Sequence, residues 1–408
     1  MTTGLFCEVS DCRFGLLGYL AIDRTLNNKA CGGIRWGPKV TPEEIKALAY
    51  DMSLKYGFSN IRLGGAKAGI VAPFDLPLEE RTARLKAFGR QLGPLLRSRI
   101  YIPGADLGTS HDDMLAVKEG AGMVTLDRHH GSQADYYTAY GVFQAVLVAL
   151  KCVGVSVKQS RVAVEGFGKV GSAIGRLLSQ AEARVVAVST KEGGLFHPEG
   201  LKMERLLSLK DSGDISWIKN YKEAQQISPE ALYTLPVDVL IPCAGPWMIR
   251  EDNVEQIQAK AVVPAANIPA SRPIQERLEA RGILYLPDFM CNCGGILANT
   301  LEWRGFDHEQ IERFFREVLA AKIERVLRRA KVSHQSPVIA AENLSLENLK
   351  RLETLSKRGR RIADPRRVLS YLSSVCYRKP GPLRSLVRNW AWEEAKRAFE
   401  EDSTSACV

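Results

Sequence analysis

The chain has 408 residues, of which 45% are hydrophobic and 25% are charged; this ordinary globular composition excludes wholesale disorder. Its 56 Lys and Arg residues exceed its 46 Asp and Glu residues, which gives a formal net charge of +10. No apolar run approaches the roughly 20 residues of a membrane span, and the N-terminus lacks signal-peptide and transit-peptide features, so we expect no membrane association and a cytoplasmic location.

The cysteines and histidines do not indicate metal or disulfide chemistry. The nine cysteines are scattered along the chain, and only six histidines are present. The closest cysteine pairs, Cys7 with Cys12 and Cys291 with Cys293, lack the CxxC spacing of metal and redox sites. We therefore predict reduced thiols and no metal site.

The N-terminal third mixes strand and helix patterns. In chain order these predict a strand over 15–25, a turn at Gly32–Gly33, a helix from 42 to about 56, a glycine-rich loop over 64–69, a helix over 78–95 and a strand over 99–103. Thr41 is a typical N-cap and Pro42 suits the first helical position, so the start of the first helix is well marked. The loop after the last strand contains Asp106.

Further along, strands and helices alternate regularly. The predicted elements are a helix over 138–153, strands over 162–165, 184–188, 237–241, 261–263 and 283–286, and a helix over 170–180. This alternation predicts a parallel, doubly wound α/β sheet. After about residue 292 the pattern is helical, including an amphipathic helix over 307–330.

The segment that joins the 162–165 strand to the next helix predicts a dinucleotide-binding turn. It reads GFGKVG, in which Gly166 allows the tight turn, Gly168 lets backbone approach a pyrophosphate, and Gly171 lets helix and strand pack closely. The helix N-terminus after it favours phosphate. The turn therefore predicts NAD or NADP, bound by Gly166, Phe167, Gly168, Lys169, Val170 and Gly171.

The end of the second Rossmann strand bears on which dinucleotide is bound. NAD-binding chains usually place a carboxylate there for the ribose 2′-hydroxyl, whereas this chain has Ser189, Thr190 and Lys191. Two hydroxyls and a cation favour the 2′-phosphate of NADP. Glu192 is adjacent, so NAD stays open.

Two lysines stand out as candidates for proton transfer. Lys55 lies near the end of a predicted helix, and Lys67 follows twelve residues later inside GGAKAG. If neighbouring elements bury Lys67, loss of solvation lowers the pKa of its amine toward the range of a general base. A solvated loop lysine is the alternative from these residues alone.

Several segments in order resemble the glutamate/leucine/phenylalanine/valine dehydrogenases between about residues 15 and 305. They are GGIRWGP, DMSLKYGFSNIRLGGAKAG, IPGADLGTS, TAYGV, VAVEGFGKVG, PAAN and CNCGGILANTLEW. The spacing of the two lysines, with the second inside GGxKxG, is the most specific part of this resemblance.

The resemblance implies an α/β protein of two domains. We expect a substrate-binding and oligomerisation domain over 1–137, a Rossmann domain over 138–290, and helices over 291–408 that return to the first domain, with a basic tail from about 350. The implied reaction is NAD(P)-dependent oxidative deamination of an L-amino acid to a 2-oxo acid and ammonia, or its reverse. A homo-oligomer is also implied.

The resemblance also implies roles for individual residues. Lys67 is expected to activate water, Lys55 to bind the substrate α-carboxylate, and Asp106 to shuttle protons at nitrogen. Two cations near one substrate carboxylate lower each other's pKa, which suits a neutral Lys67. The other expected substrate positions are Cys31, Gly32, Gly33, Asn292, Ile296 and Asn299. The other expected cofactor positions are Thr138, Ala244 and Asn267.

Two of these positions bear on the choice of amino acid. Glutamate-specific members carry a lysine where this chain has Cys31, and a thiol cannot pair with the substrate γ-carboxylate. Lys29 is an imperfect substitute that stays open. Asn299, if buried against an aliphatic side chain, would leave its amide unpaired at a cost of roughly 1–3 kcal/mol. We therefore predict a neutral or polar amino acid other than glutamate.

The C-terminal charge is separate from this chemistry. Residues 350–388 carry twelve basic and two acidic side chains, beyond the end of the resemblance. They form either solvated helix faces or a surface for an anionic partner. Nucleic acid is not favoured, because no stacking platform or groove is evident. The alternative function is a non-catalytic or regulatory relative that uses the dehydrogenase fold for binding.

Overall fold

The computed structural model describes residues 4–124, 133–214, 216–359 and 383–400, which form two compact units. The first unit contains residues 4–124 and 344–359, and the second contains the described residues of 133–343 and 383–400. The domain boundaries expected at 137 and 290 stay a prediction. Within these described ranges, no helix is both long and apolar enough to cross a membrane.

The first unit is built on a mixed sheet. Its strands are β1 (Leu5–Asp11), β2 (Leu16–Ile22), β3 (Ala30–Gly37), β4 (Gly64–Val71) and β5 (Tyr101–Ala105). Its helices before residue 124 are α1 (Pro42–Phe58), α2 (Leu78–Gln91), α3 (Gly93–Arg97) and α4 (His111–Gly120). The strand order is β1-β2-β4-β3-β5, in which β3 runs parallel to both β4 and β5.

Helices cover both faces of this sheet. On one face, side chains of α2 and α4 join the main core, which includes Leu20, Ile34 and Phe88. On the other face, Ile45 and Ala49 of α1 pack beside the sheet in a smaller cluster. Thr41 caps α1 as expected, because its hydroxyl accepts the backbone N–H of Glu44 at 3.2 Å. The cap fixes where α1 begins, and α1 is the helix that covers this second face of the sheet.

Three of the predicted local elements in this unit are wrong. Gly32–Gly33 is part of β3 rather than a turn, and residues 64–69 lie in β4 rather than in a loop. These glycines allow neighbouring backbone to come close to the strands. A Cβ at position 32 would lie 1.6 Å from the Ala66 carbonyl oxygen, and a Cβ at position 65 would lie 2.2 Å from the backbone nitrogen of Ser53. The helix expected over 78–95 is divided into α2 and α3 at Leu92.

The second unit contains the longer sheet. Its strands are β6 (Arg161–Glu165), β7 (Arg184–Thr190), β8 (Gly193–Phe196), β9 (Gln225–Ile227), β10 (Val239–Pro242), β11 (Ala261–Val262) and β12 (Leu284–Tyr285). Its helices up to the last strand are α5 (Ala134–Cys152), α6 (Lys169–Gln180), α7 (Met203–Lys210) and α8 (Arg272–Ala280).

The remaining helices complete the described chain. They are α9 (Asp288–Cys291), α10 (Gly294–Trp303), α11 (His308–Phe314), α12 (Ala320–Val332), α13 (Pro337–Gly359) and α14 (Leu383–Glu400). A π-helical segment, Phe315–Leu319, lies between α11 and α12 and interrupts the single helix predicted over 307–330. Residues of α13 from Leu344 onward belong to the first unit.

The order of the longer sheet is β12-β11-β10-β6-β7-β8-β9. The strands from β12 to β7 run parallel, as the Rossmann prediction requires, and the expected α/β fold class is confirmed. Short strands β8 and β9 add an antiparallel edge that the sequence pattern did not reveal.

The C-terminal helix α14 packs within the second unit. The ring of Trp392 lies against those of Phe306 and Phe314, with centroids 6.1 and 5.8 Å away. Lys322, fully buried, donates from Nζ to the carbonyl oxygen of Phe399 at 2.6 Å and lies over its ring. Most of the basic 350–388 run lies outside the described residues.

Candidate functional site

The first candidate site is centred on Lys67 in the middle of β4. Its Nζ lies 2.8 Å from Oδ2 of Asp106, which follows β5. Between these strands lies β3, where Cys31 pairs with Gly65 and Ile34 with Ala68, so Gly33 is level with Lys67. Strand alternation then puts the side chains of positions 31, 33 and 35 on the same face as Lys67. The sheet register thus brings together residues far apart in the sequence.

Burial gives Lys67 an unusual electrostatic environment. The residue is 3% exposed, and this burial lowers the pKa of its amine below the usual lysine value. The carboxylate of Asp106 opposes the lowering of that pKa, whereas the positive charges of Arg35 and Lys55 favour it. A lysine amine in this setting is suited to losing and regaining a proton during a reaction.

Asp106 is held by its own loop and stays ionised. The hydroxyl of Thr109 accepts the backbone N–H of Asp106 at 2.8 Å and donates to the carbonyl oxygen of Ile34 at 2.8 Å. Burial alone would raise the pKa of Asp106, but the charges of Lys67 and Arg35 hold it well below its ordinary range. The pair therefore joins a permanent anion to an amine of lowered basicity.

Arg35 is a site residue that the sequence analysis missed. It is 6% exposed, and its Nε donates to Oδ2 of Asp106 at 3.2 Å, while its NH1 group pairs with Glu44 at the start of α1. The available signal was the alternation of GGIRW, because a strand at this position places Arg35 on the face of Cys31 and Gly33. The interpretation of Gly32–Gly33 as a turn obscured it.

Lys55 lies in the last turn of α1 and is 5% exposed. Its Nζ is 3.7 Å from Oδ2 of Asp51, one helical turn earlier. Its charge acts on Lys67, so the two lysines predicted from the sequence occupy one electrostatic site in the first unit. Burial of both cations fits a site for an anionic group such as a carboxylate.

The hydrogen-bond partner of Cys31 is a neutral group. The Tyr56 hydroxyl bonds to its thiol, and burial raises the pKa of that thiol despite the opposing effect of Lys67. The Tyr101 hydroxyl donates to the Gly32 carbonyl oxygen at 3.0 Å. A Cβ at Gly33 would lie 2.7 Å from that of Asp106, so this glycine allows the Asp106 loop to approach.

In the second unit, the segment predicted to bind a dinucleotide joins β6 to α6. Gly166 has φ +84°, and a Cβ there would lie 2.5 Å from the backbone nitrogen of Ala244. A Cβ at Gly171 would lie 2.3 Å from the Gly166 carbonyl oxygen, whereas nothing lies within 4 Å of one at Gly168. Gly168 is exposed before α6. The three glycines therefore differ in their surroundings: Gly166 and Gly171 allow close backbone packing, whereas Gly168 leaves open space.

The other residues of this turn differ in exposure. The side chain of Phe167 is buried and its ring centroid lies 6.0 Å from that of Trp217, so only its backbone can reach a ligand. Lys169 is exposed, with Nζ 4.0 Å from Oδ2 of Asp135, and Val170 is half-buried. The cation at the start of α6 adds to the attraction of the helix N-terminus for phosphate.

A buried carboxylate supports the neighbouring loop. Glu165, the last residue of β6, is 4% exposed and accepts the backbone N–H groups of Cys243 and Ala244, both at 3.1 Å. Burial raises the pKa of Glu165, and the two N–H groups oppose that rise. Ala244, itself exposed, is thereby fixed beside Gly166 at the carboxyl edge of the sheet.

The end of β7 only partly matches its prediction. Ser189 is 2% exposed, and its carbonyl oxygen accepts the N–H groups of Gly166 and Phe167, so it shapes the turn rather than presenting a hydroxyl. Thr190 is half-buried and Lys191 exposed. Glu192 lies 3.5 Å from Lys219 as an ion pair.

Asn292 and Asn267 meet at the same edge. The Asn292 amide donates to Oδ1 of Asn267 at 2.9 Å and to the carbonyl oxygens of Ala265 and Ala266 at 3.1 and 3.3 Å. Its own Oδ1 is buried and has no hydrogen-bond partner within the described part of the chain. An acceptor without a partner is suited to a ligand that donates a hydrogen bond.

The remaining expected positions lie on α5 and α10. Thr138 on α5 is half-buried. A Cβ at Gly295 on α10 would lie 2.8 Å from its Oγ1, so α5 and α10 are in close contact. Ile296 is half-buried on α10. Asn299 is exposed and accepts the indole N–H of Trp303 at 3.0 Å, so the expected buried amide is wrong. No group of three His, Cys, Asp or Glu side chains that could hold a metal is found among the described residues.

Comparison with known proteins gives consistent matches. The model of the family described as Glutamate/Leucine/Phenylalanine/Valine dehydrogenase matches residues 131–357, and that of the family's dimerisation domain matches residues 12–122. Glutamate dehydrogenase of Thermotoga maritima is 34% identical over 300 residues, which cover 70% of this chain and 72% of that protein. A cryptic catabolic NAD-specific glutamate dehydrogenase of Bacillus subtilis is 32% identical over 76% of this chain and 77% of its own length.

Solved structures extend the comparison. A hetero-hexameric glutamate dehydrogenase from Thermus thermophilus, in a form described as Leu bound, has a TM-score of 0.74 and 27% identity, covering 87% of this chain and 89% of that one. L-tryptophan dehydrogenase from Nostoc punctiforme has a TM-score of 0.61 and 25% identity, covering 86% and 96% of the two chains.

Proposed function

We propose that this chain, which belongs to the glutamate/leucine/phenylalanine/valine dehydrogenase family, catalyses NAD(P)-dependent oxidative deamination of an L-amino acid other than glutamate, or the reverse reductive amination. The observation that supports this most directly is the buried Lys67 amine, 2.8 Å from an ionised Asp106. A non-catalytic relative has no need to keep this arrangement of charges.

Three residues of the first unit have proposed steps. Lys55 binds the substrate α-carboxylate and so fixes the position of Cα. Lys67, whose amine has a lowered pKa, in its neutral form takes a proton from the water that attacks the iminium carbon of the oxidised substrate. Asp106, ionised in the resting site, accepts a proton transiently and passes it to the departing nitrogen, which leaves as ammonia.

The second unit is suited to the cofactor that this reaction needs. When bound, a nicotinamide dinucleotide accepts the hydride that leaves Cα. We assign its pyrophosphate to the turn from Gly166 to Gly171, where Gly168 leaves room for backbone approach. Asn267, Thr138 and Ala244 are proposed to hold its polar groups. Asn292, which the sequence assigned to the substrate, presents an unpartnered acceptor, Oδ1, and so fits a donating group of the cofactor better than a substrate carboxylate.

The substrate class is proposed from the thiol at position 31, whose hydrogen-bond partner is neutral. A glutamate γ-carboxylate here would meet a thiol and tyrosine hydroxyls, since Lys67 is engaged with Asp106 and Lys55 is assigned to the α-carboxylate. Burying a carboxylate without a cation is costly, so a neutral side chain fits better. Because Asn299 is exposed, it no longer argues against an apolar substrate.

NADP is the cofactor form that we propose. Exposed Lys191 and half-buried Thr190 offer a cation and a hydroxyl to a 2′-phosphate, while Glu192 is already paired with Lys219. The named NAD-specific relatives argue for NAD, so both forms belong in the test. We also propose a homo-oligomer, because residues 12–122 match a dimerisation domain.

One assay tests the proposal. The purified chain is given each of the twenty L-amino acids with NAD or NADP, and reduced cofactor is followed by its absorbance. A neutral amino acid should give the highest kcat/KM, and Lys67→Ala should remove that activity. Glutamate exceeding every neutral amino acid would overturn the substrate class, and absence of turnover with all of them would overturn the function.

A further inference from the structure

Four charged side chains form a chain of alternating sign across the first unit. Glu44 at the start of α1 pairs with the NH1 group of Arg35, whose Nε donates to Asp106, whose Oδ2 in turn lies 2.8 Å from Lys67. The side chains of Glu44, Arg35, Asp106 and Lys67 are 13%, 7%, 17% and 4% exposed, so solvent and salt screen them little.

We propose that Arg35 is a positioning residue that divides the negative charge of Asp106 between two cations and so leaves Lys67 able to release its proton. The inference rests on the proposed role of Lys67 as a base. It goes beyond that role because it assigns control of the proton to a residue that lies on another strand.

The geometry explains why two cations share one carboxylate oxygen. Oδ2 of Asp106 accepts both Nε of Arg35 at 3.2 Å and Nζ of Lys67 at 2.8 Å. A carboxylate next to Lys67 alone would favour the ammonium form, because opposite charges stabilise each other. The guanidinium, which stays protonated, competes for the same anion and repels the second positive charge.

The guanidinium also has the shape that this position needs. Its Nε and NH1 groups point to different carboxylates, Asp106 and Glu44, which a lysine ammonium cannot contact with the same fixed geometry. Glu44 holds the far end of Arg35 and, as an anion, offsets part of its charge. Arg35 and Glu44 should therefore act on Lys67 in opposite directions.

Other titratable groups near this chain of charges also bear on the expected pH dependence. They are Lys55, Asp51 and Tyr56 on α1, Cys31 on β3, and Tyr101 on β5. Lys55 acts on Lys67 with the same sign as Arg35. Each variant below leaves these groups in place, so a difference from the wild-type chain reports the substituted charge.

The test compares the pH dependence of kcat/KM in Arg35→Gln and Glu44→Gln. A general base must be neutral, so activity falls at acidic pH as Lys67 becomes protonated. Removal of the positive charge in Arg35→Gln should move this acidic limb to higher pH by about one unit. Removal of the negative charge in Glu44→Gln should move it to lower pH, by a smaller amount because Glu44 acts through Arg35.

Two further variants separate charge from packing. Arg35→Lys keeps the positive charge but loses the planar guanidinium that contacts two carboxylates. Its acidic limb should therefore stay near that of the wild-type chain, even if its Tm falls. Arg90→Gln removes an exposed guanidinium from α2, on the opposite side of the sheet, and should leave the limb unchanged. A structural role alone would lower Tm without moving the limb.

A second readout does not need turnover. The rate at which cyanate carbamoylates Lys67, followed by peptide mass spectrometry against pH, reports the fraction of neutral amine. Arg35→Gln should slow this reaction at a given pH, and Glu44→Gln should speed it. Shifts of the same sign in both variants, or no shift in Arg35→Gln, would overturn the inference. Absence of deamination would instead overturn the proposed function, while carbamoylation still decides the role of Arg35.

Discussion

The side chains of Lys67 and Asp106 approach to 2.8 Å although 39 residues separate them in the chain. Strand β3 lies between their two strands, and the glycine at position 33 lets the Asp106 loop close over it. The pair combines a buried amine of lowered pKa with a carboxylate that stays ionised. The predictions below follow from this relationship and from the dinucleotide turn.

Lys67→Ala should lower kcat/KM by about 100-fold or more, because general-base catalysis typically contributes at least that factor. KM for the amino acid should change less, since Lys55 is the proposed carboxylate ligand. Steady-state kinetics and a thermal unfolding curve are measured together, with half-buried Lys86→Ala on α2 as the matched lysine control. Near-wild-type turnover in Lys67→Ala would remove the assigned role.

The wild-type activity should have an acidic limb set by Lys67. Its pKa is lowered, so the neutral fraction becomes large below the pH at which an ordinary lysine deprotonates. kcat/KM should therefore rise with pH through this lowered pKa and level off at a lower pH than an ordinary lysine would allow. Asp106 does not contribute a second limb in this range, because its carboxylate stays ionised. A rate that falls steadily from pH 6 to pH 10 would contradict this assignment.

Cys31→Lys should increase kcat/KM for glutamate by about tenfold or more, since a hydrogen bond to a charged group is worth about 1.5–3 kcal/mol. It should reduce the rate with the best neutral substrate, because the buried ammonium would lack a partner. Cys31→Ala is the control for loss of the thiol alone. The prediction does not hold if Cys31→Lys and Cys31→Ala change the two substrates alike.

Lys191→Ala should weaken NADP binding by about tenfold, which is the value of one charge-assisted contact, and should leave NAD binding nearly unchanged. Titration calorimetry with each oxidised dinucleotide measures the two affinities. Half-buried Lys210→Ala, on α7, is the matched lysine control. Equal weakening for NAD and NADP would indicate that Lys191 does not contact a 2′-phosphate.

Gly168→Ala and Gly171→Ala should fail in different ways. A methyl group at Gly168 meets nothing within 4 Å, so Tm should be retained while dinucleotide affinity falls, because the methyl occupies the path of the pyrophosphate. A methyl group at Gly171 would lie 2.3 Å from the Gly166 carbonyl oxygen and should cost about 1–3 kcal/mol of folding stability. Unfolding curves and dinucleotide titrations distinguish the two, and a lowered Tm in Gly168→Ala would count against the assigned path.

The exposure of the candidate residues also changes how substitutions should be interpreted. Asn299 contacts exposed Trp303, and Ser189 is buried with its carbonyl oxygen in the dinucleotide turn. Neither arrangement has a local sequence signal, since solvent exposure depends on which other elements cover the position. Their substitution by alanine therefore tests a surface contact in the first case and the shape of a turn in the second.

The sequence by itself determined the features that local spacing encodes. The capped start of α1, the strand–turn–helix unit around Gly166 and the position of Lys55 in the last turn of its helix all follow from backbone preferences over a few residues. The order of the family segments indicated the family, which the matches confirmed. These features need no knowledge of which strands become neighbours.

Tertiary structure decided the rest. The glycines at positions 32, 33, 64 and 65 lie in strands, where other parts of the backbone approach too closely for a Cβ. A glycine in the sequence looks the same whether it serves such a close approach or a turn, so the sequence pattern could not distinguish the two. Arg35 belongs to the candidate site because β3 lies between β4, which carries Lys67, and β5, which precedes Asp106. The pKa of Lys67 depends on burial and on three charges from other elements. The sheet register and helix packing bring those charges to Lys67, and its neighbours in the chain do not.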